Sequence, residues 1–178
     1  VAFEDDSVGL QVTGKETISK VLVTLDTTVD TIAQAIASDV DMIITHHPLI
    51  FGERDEVLAS NPLLASQVKM LEDKGINVLA IHTNADFNPN SIAFNQAMAL
   101  DAEEIMQTNE NMSVIATLEN ELPLEELLKV VRENLELNYS FRTNAVLSDH
   151  IKDIHIASGA AGDLVNSPES LTRLFIVG

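Results

Sequence analysis

Two adjacent histidines, His46 and His47, stand directly before Pro48, and Asp86 follows His82 by four residues. Imidazole and carboxylate are the natural donors for a divalent cation when thiolates are absent. Neighbouring residues on an extended chain point to opposite sides. Such a pair suits two ions a few ångströms apart better than one, and Pro48 restricts His47 to extended conformations. The carboxylate of Asp86 can bridge two cations, one oxygen to each. Bridged ions lie roughly 3.5–4 Å apart and polarise a shared water into a nucleophile near neutral pH. The expected metal ligands are therefore His46, His47 and Asp86. His82 has four candidate roles: ligand, partner that orients a ligand, acid/base group, or a histidine satisfied structurally at a strand end. Asp26 either orients a ligand histidine or caps the helix that follows it, and its position favours the cap. Thr45 and Gly159 complete the expected pocket. Gly159 opens a GAAG turn over 159–162 that could bring backbone N–H groups near an anion. That turn lacks the Lys-Ser/Thr of a P-loop. His155 falls within a strand pattern and His150 in a loop, and neither belongs to a cluster.

The 178 residues include no cysteine, which excludes disulfides and thiolate metal sites. Zn, Fe, Mn, Co and Ni all suit the remaining donors. The net charge of −18 repels phosphate backbones and argues against nucleic acid as a partner. No segment has the ~20 uninterrupted apolar residues of a membrane span, and no signal peptide is visible. A cytoplasmic protein without a membrane partner is the expectation.

Elements must bring these residues together. Residues 20–26 (KVLVTLD), 40–45 (VDMIIT) and 76–82 (INVLAIH) read as buried strands. Between and after them, 27–38, 62–74 and 91–100 carry helical patterns. Val29, Ile32, Ala33, Ile36 and Ala37 face inward in the first, Gly75 stops the second, and Asn90 or Ser91 caps the third. The alternation implies βαβ units, hence an α/β fold with a mostly parallel sheet flanked by helices. Residues 101–111 read as an acidic linker. Beyond it come a strand at 112–118, an amphipathic helix at 123–137, a short strand at 144–147, a strand at 152–158, a short helix at 168–171 and a last strand at 173–177. The expected organisation is a metal-binding core over 1–108, a small α+β lobe inserted at 109–150, and a return to the core over 151–178. Ligands of open parallel sheets sit beyond the carboxyl ends of the strands. Four polar clusters lie there: Asp26-Thr27-Thr28, Thr45-His46-His47-Pro48, His82 to Asp86, and Ser158-Gly159.

With these residues in place, the chain resembles the NGG-interacting-factor-like family of dinuclear-metal proteins, often labelled type 2 GTP cyclohydrolase I homologues. The matching pieces run in order: VGLQV at 8–12, VLVTLDTT at 21–28, ITHHPLIF at 44–51, HTNAD at 82–86, SGAAGDL at 158–164 and LFIVG at 174–178. The resemblance implies an α/β core with a central lobe, a toroidal homo-hexamer, and two metal ions held by His46, His47 and Asp86. Two departures stand out. Glu4-Asp5-Asp6-Ser7 replaces the family's Trp-Asp-Asn type sequence before VGLQV. The family's last strand also continues into a Gly-Glu segment with histidines that supply a further His and Glu, and that motif would begin at Gly178. Two His and one Asp are three side chains, whereas two ions want roughly six protein contacts. An incomplete site, truncated before its final motif, is therefore expected.

The reading that follows is a divalent-metal protein of the dinuclear hydrolase-like type, cleaving a nucleotide or related small molecule with metal-activated water. Its rival is a non-catalytic metal-binding or regulatory protein acting through its oligomer and partners.

Overall fold

The computed structural model describes residues 2, 4–86, 90–108, 113–138, 146, 148–159 and 173–177. They form a mixed α/β structure of eight strands and six helices, in two units, Val1–Ala85 and Asp86–Gly178, each with its own sheet and core.

The first unit holds β1 (Gly9–Val12), β2 (Val21–Thr24), β3 (Met42–Thr45) and β4 (Asn77–Ala80) in the order β1-β4-β3-β2. The last three are mutually parallel and β1 runs antiparallel against β4. Period-2 alternation sorts their side chains. Leu22, Ile43 and Val78 pair in register and face a core with Ile32, Ala35, Val68 and Leu71. Each fully buried side chain of this size contributes about 1.5–3 kcal/mol. The helices are α1 (Val29–Ala37), α2 (Arg54–Ser60) and α3 (Pro62–Lys74). Thr28 caps α1 by accepting from the Thr31 N–H, and Asn61 caps α3 by accepting from the Leu64 N–H. Gly75 ends α3 at φ 67°, a left-handed conformation that glycine adopts without strain. The expected inward face of α1 is off by part of a turn: Ile32 and Ala35 are buried, while Val29 is exposed. The strand expected over 20–26 is an edge strand rather than a buried one, with Val23 74% exposed. β1 and α2 were not anticipated.

The one-turn α4 (Thr83–Asp86) follows β4. The second unit then holds α5 (Ile92–Ala99), β5 (Glu104–Gln107), β6 (Ser113–Pro123), α6 (Leu124–Asn134), β7 (His150–Ala157) and β8 (Arg173–Val177). Its sheet has the order β5-β6-β7-β8, antiparallel except for the β7–β8 pair. Ser91 caps α5 by accepting from the Phe94 N–H. Ala93, Ala97 and Leu100 pack with Leu124, Leu127 and Val131 over Val114, Ala116, Ile154 and Ile156.

Three expectations change here. Parallel pairing dominates only in the first sheet. The supposed linker contains β5. Strands 150–157 and 173–177 do not pair with the first sheet: β7 pairs with β6, and β8 with β7. Hydrophobic alternation fixes which face of a strand is buried, but not which sheet it joins. His150 begins β7 rather than lying in a loop. The expected strand at 144–147, apart from exposed Val146, and the helix at 168–171 lie outside the described residues, as do 160–162 of the glycine turn.

Candidate metal centre

The carboxyl ends of β2, β3 and β4 keep exchanging hydrogen bonds past the strands themselves. The His46 N–H donates to Thr24 O at 3.2 Å, the His47 N–H to Leu25 O at 2.9 Å, and the Ile81 N–H to Thr45 O at 2.8 Å. Three segments, at 24–26, 45–47 and 81–82, are thereby held side by side. The buried Thr45 hydroxyl lies 3.1 Å from both Leu25 O and His47 O, pinning the turn from beneath. From β1, Gln11 fixes the segment after Pro48. Its Oε1 accepts from the N–H groups of Leu49 (2.7 Å) and Ile50 (3.0 Å), and its Nε2 donates to Ile50 O (2.7 Å) and Ser7 O (2.9 Å).

This scaffold gathers His46, His47 and His82. Ring centroids are 5.1 Å apart for His46–His47, 5.2 Å for His46–His82 and 5.9 Å for His47–His82. One ring nitrogen of each lies within 4.8 Å of those of the other two. The divergence expected of neighbouring histidines does not occur. β3 ends at Thr45 and the chain bends at His46 and His47, so strand alternation no longer governs their directions. With the rings convergent, their directions no longer favour two ions over one.

Every one of the three rings is oriented through Nδ1. His46 Nδ1 lies 2.9 Å from Ile81 O, His47 Nδ1 2.7 Å from Asp26 Oδ1, and His82 Nδ1 2.8 Å from Asp6 Oδ1. A carbonyl or ionised carboxylate can only accept, so Nδ1 carries the proton and donates in each case. When such a ring is neutral, Nε2 is its lone-pair nitrogen, the arrangement that metal-binding imidazoles use. The donor set thus fits a divalent cation of the borderline class.

Asp26 therefore orients a histidine and does not cap α1, a role taken by Thr28. The pair is well exposed, at 53% for Asp26 and 49% for His47. Asp6 differs in being nearly enclosed, with 3% of its side chain exposed. Its Oδ2 accepts from the N–H of Thr83 at 3.1 Å and from the Thr83 hydroxyl. Burial pushes the Asp6 carboxyl up, but the bonds from the Thr83 hydroxyl, the His82 ring and the Thr83 N–H outweigh it. They hold the group below its ordinary value. No feature of the sequence near Asp6 pointed to this role.

Asp86 is buried at the end of α4 and opens the second unit. Gly159 is exposed at φ 68° after β7, on the second sheet, so the fourth cluster follows a strand of a different sheet. His155 lies within β7, with Nε2 2.8 Å from Ser113 Oγ. A cavity of about 500 Å³ is lined by Glu4, Asp5, Asp6, Gln11 and Arg54 among others, but by none of the three clustered histidines.

The fold that carries this histidine cluster is one the chain shares with known proteins. The chain belongs to the Duf34/NIF3 (NGG1p interacting factor 3) family, whose model matches residues 1–172. A Pyrococcus horikoshii protein named GTP cyclohydrolase 1 type 2 homolog is 29% identical, over 99% of this chain and 72% of its own length. A Lactococcus lactis protein of the same name is 32% identical, over 100% of this chain and 71% of its own. A crystal structure of a Staphylococcus aureus protein matches with a TM-score of 0.79 at 22% identity, covering 99% of this chain and 73% of its own. At that identity the likeness establishes the fold.

Proposed function

We propose that the protein binds divalent metal through Nε2 of His46, His47 and His82, and that it is a metal-dependent hydrolase of a small molecule. The observation that carries this reading is the shared Nδ1 anchoring, which turns three lone-pair nitrogens into one donor set. Asp86 joins the set in this proposal. It ends the one-turn helix that starts next to His82, and the family resemblance assigns it a ligand role. Two ions, among Zn, Fe, Mn, Co and Ni, are the stoichiometry proposed. When bound, they supply Lewis acidity and an activated water. The chain's own residues orient the donors: Asp26 steers His47, Asp6 steers His82, and Gln11 fixes the segment that carries the His-His pair.

The names of the Pyrococcus and Lactococcus relatives support a nucleotide of the GTP type as the substrate class to test first. Self-assembly, as a hexamer, is part of the same proposal. Val23 (74% exposed) and Leu10 (53%) sit at the two ends of one strand-to-strand row, with Ile44 and Leu79 between them, and leave an apolar stripe that a second copy would cover. No helix among the described residues is long and apolar enough to cross a membrane, and a cytoplasmic location is proposed.

The test measures bound metal on the purified protein by elemental analysis and screens hydrolysis of nucleotides and phosphoesters, with the His46→Ala/His47→Ala variant beside it. Metal and turnover both lost in the variant support the proposal. Tight metal with no turnover on any substrate leaves the non-catalytic, regulatory reading in its place. Full metal retention by the variant refutes the site.

A further inference from the structure

We propose that Asp6 is the positioning residue of the histidine cluster: it holds His82 as the Nδ1–H tautomer and so sets the affinity of the cluster for metal. This rests on the metal reading given above.

The inference comes from comparing the three anchors. His46 is oriented by a backbone carbonyl, Ile81 O, which no side-chain substitution removes. His47 is oriented by Asp26, but both partners are about half exposed, so water competes for the bond and screens the charge. Only the Asp6–His82 bond is both a side-chain anchor and enclosed, with 3% of the Asp6 side chain exposed and 24% of that of His82. A charge-assisted bond in such a setting is stronger than one in water.

Geometry also shows why Asp6 can hold the ring still. Its two oxygens are divided: Oδ1 takes the His82 Nδ1–H at 2.8 Å, and Oδ2 takes the N–H and hydroxyl of Thr83. A carboxylate gripped through one oxygen by the residue next to the histidine cannot swing away from the imidazole. Asp6 is therefore clamped to the first turn of α4 and holds the ring from a fixed base. It arrives from a chain segment 76 residues away. Loss of such an oriented partner typically costs 10–100-fold in metal affinity.

The experiment uses the full chain with ¹⁵N-labelled histidine. Long-range ¹H–¹⁵N correlation spectra of the metal-free wild type, at a pH where the ring is neutral, report the tautomer of His82 directly. The expected form is Nδ1–H, and a His82 ring found as Nε2–H overturns the inference whatever any variant does. Zn²⁺ affinity is then measured by competition with a chromophoric chelator for wild type, Asp6→Ala and Asp26→Ala. Asp6→Ala is expected to lose 10–100-fold in affinity and Asp26→Ala distinctly less. Equal losses, or none in Asp6→Ala, refute the special role of Asp6. Failure of the wild type to bind Zn²⁺ refutes the metal reading and the affinity half of the inference together, while the tautomer is still read by itself. Should Asp6→Ala not fold, the wild-type tautomer decides.

Discussion

Metal binding at three imidazoles of one unit has a consequence for that unit's stability that can be worked out in advance. His46, His47 and His82 all lie within Val1–Ala85, on segments that extend β3 and β4. An ion bound there requires the strand ends to stay together, so it binds the folded unit and not the opened one. The linkage is RT ln(1 + [M]/Kd), about 2.7 kcal/mol when free metal is 100 times Kd. Amide hydrogens that exchange only when this unit opens should then slow by about 100-fold. The most informative are those of Ile43 and Val78, on the central strands and fully buried. Hydrogen exchange followed by mass spectrometry, with and without Zn²⁺, reads this strand by strand. Excess EDTA should restore the fast rates. In the His46→Ala/His47→Ala variant the slowing should vanish. Two results would refute the reasoning: no slowing in β3 and β4 at saturating metal, or slowing that survives the double substitution. A shift in β6 and α6 alone would also place the ion away from this cluster.

Three further outcomes follow from the scaffold. Gln11→Ala removes the three side-chain bonds to residues 49–50 and the one to Ser7 O, and at about 1–3 kcal/mol for leaving part-buried backbone groups unpaired it should lower the urea midpoint measurably and weaken Zn²⁺ binding. Gly14→Ala should destabilise by about 1–3 kcal/mol or more in urea titrations, because its Cβ would lie 2.3 Å from the Gly75 carbonyl carbon and oxygen, which are backbone atoms that cannot turn aside. Asp41 is held down to about 2 by the Lys15 ammonium first and then by the N–H groups of Ser19 and Lys20. A folded value below the unfolded one stabilises above the unfolded value and is lost as pH falls through the folded one. The stability gap between wild type and Asp41→Asn should therefore be full at neutral pH and narrow as pH falls from about 4 toward 2.

How much of this was legible depends on whether a property belongs to a residue or to its neighbours in space. The donors themselves were legible, since imidazole in a chain without cysteine announces its chemistry wherever it lies. So was their location for the first three clusters, because period-2 and period-3.6 patterns placed β2, β3, β4, α1 and α3, and parallel strands carry their functional ends on one side. Direction was not legible. Alternation predicts it only within a strand, and His46 and His47 stand just beyond one, where a bend turned expected divergence into convergence. Sheet membership was illegible for a similar reason: Ile154 and Ile156 alternate as in any half-buried strand, and only pairing with β6 assigns them to the second sheet. β5 was hidden because its four residues, EIMQ, bury a single side chain in part and read as acidic linker. Least legible were the anchors. Ile81 offers a backbone oxygen, and Asp6 stands in an acidic run where one carboxylate looks like the next. Yet a tautomer is decided by whichever acceptor reaches Nδ1. Whether an imidazole presents Nε2 is thus settled by the tertiary path of the chain, and residue type alone identifies a candidate ligand without showing which nitrogen it offers.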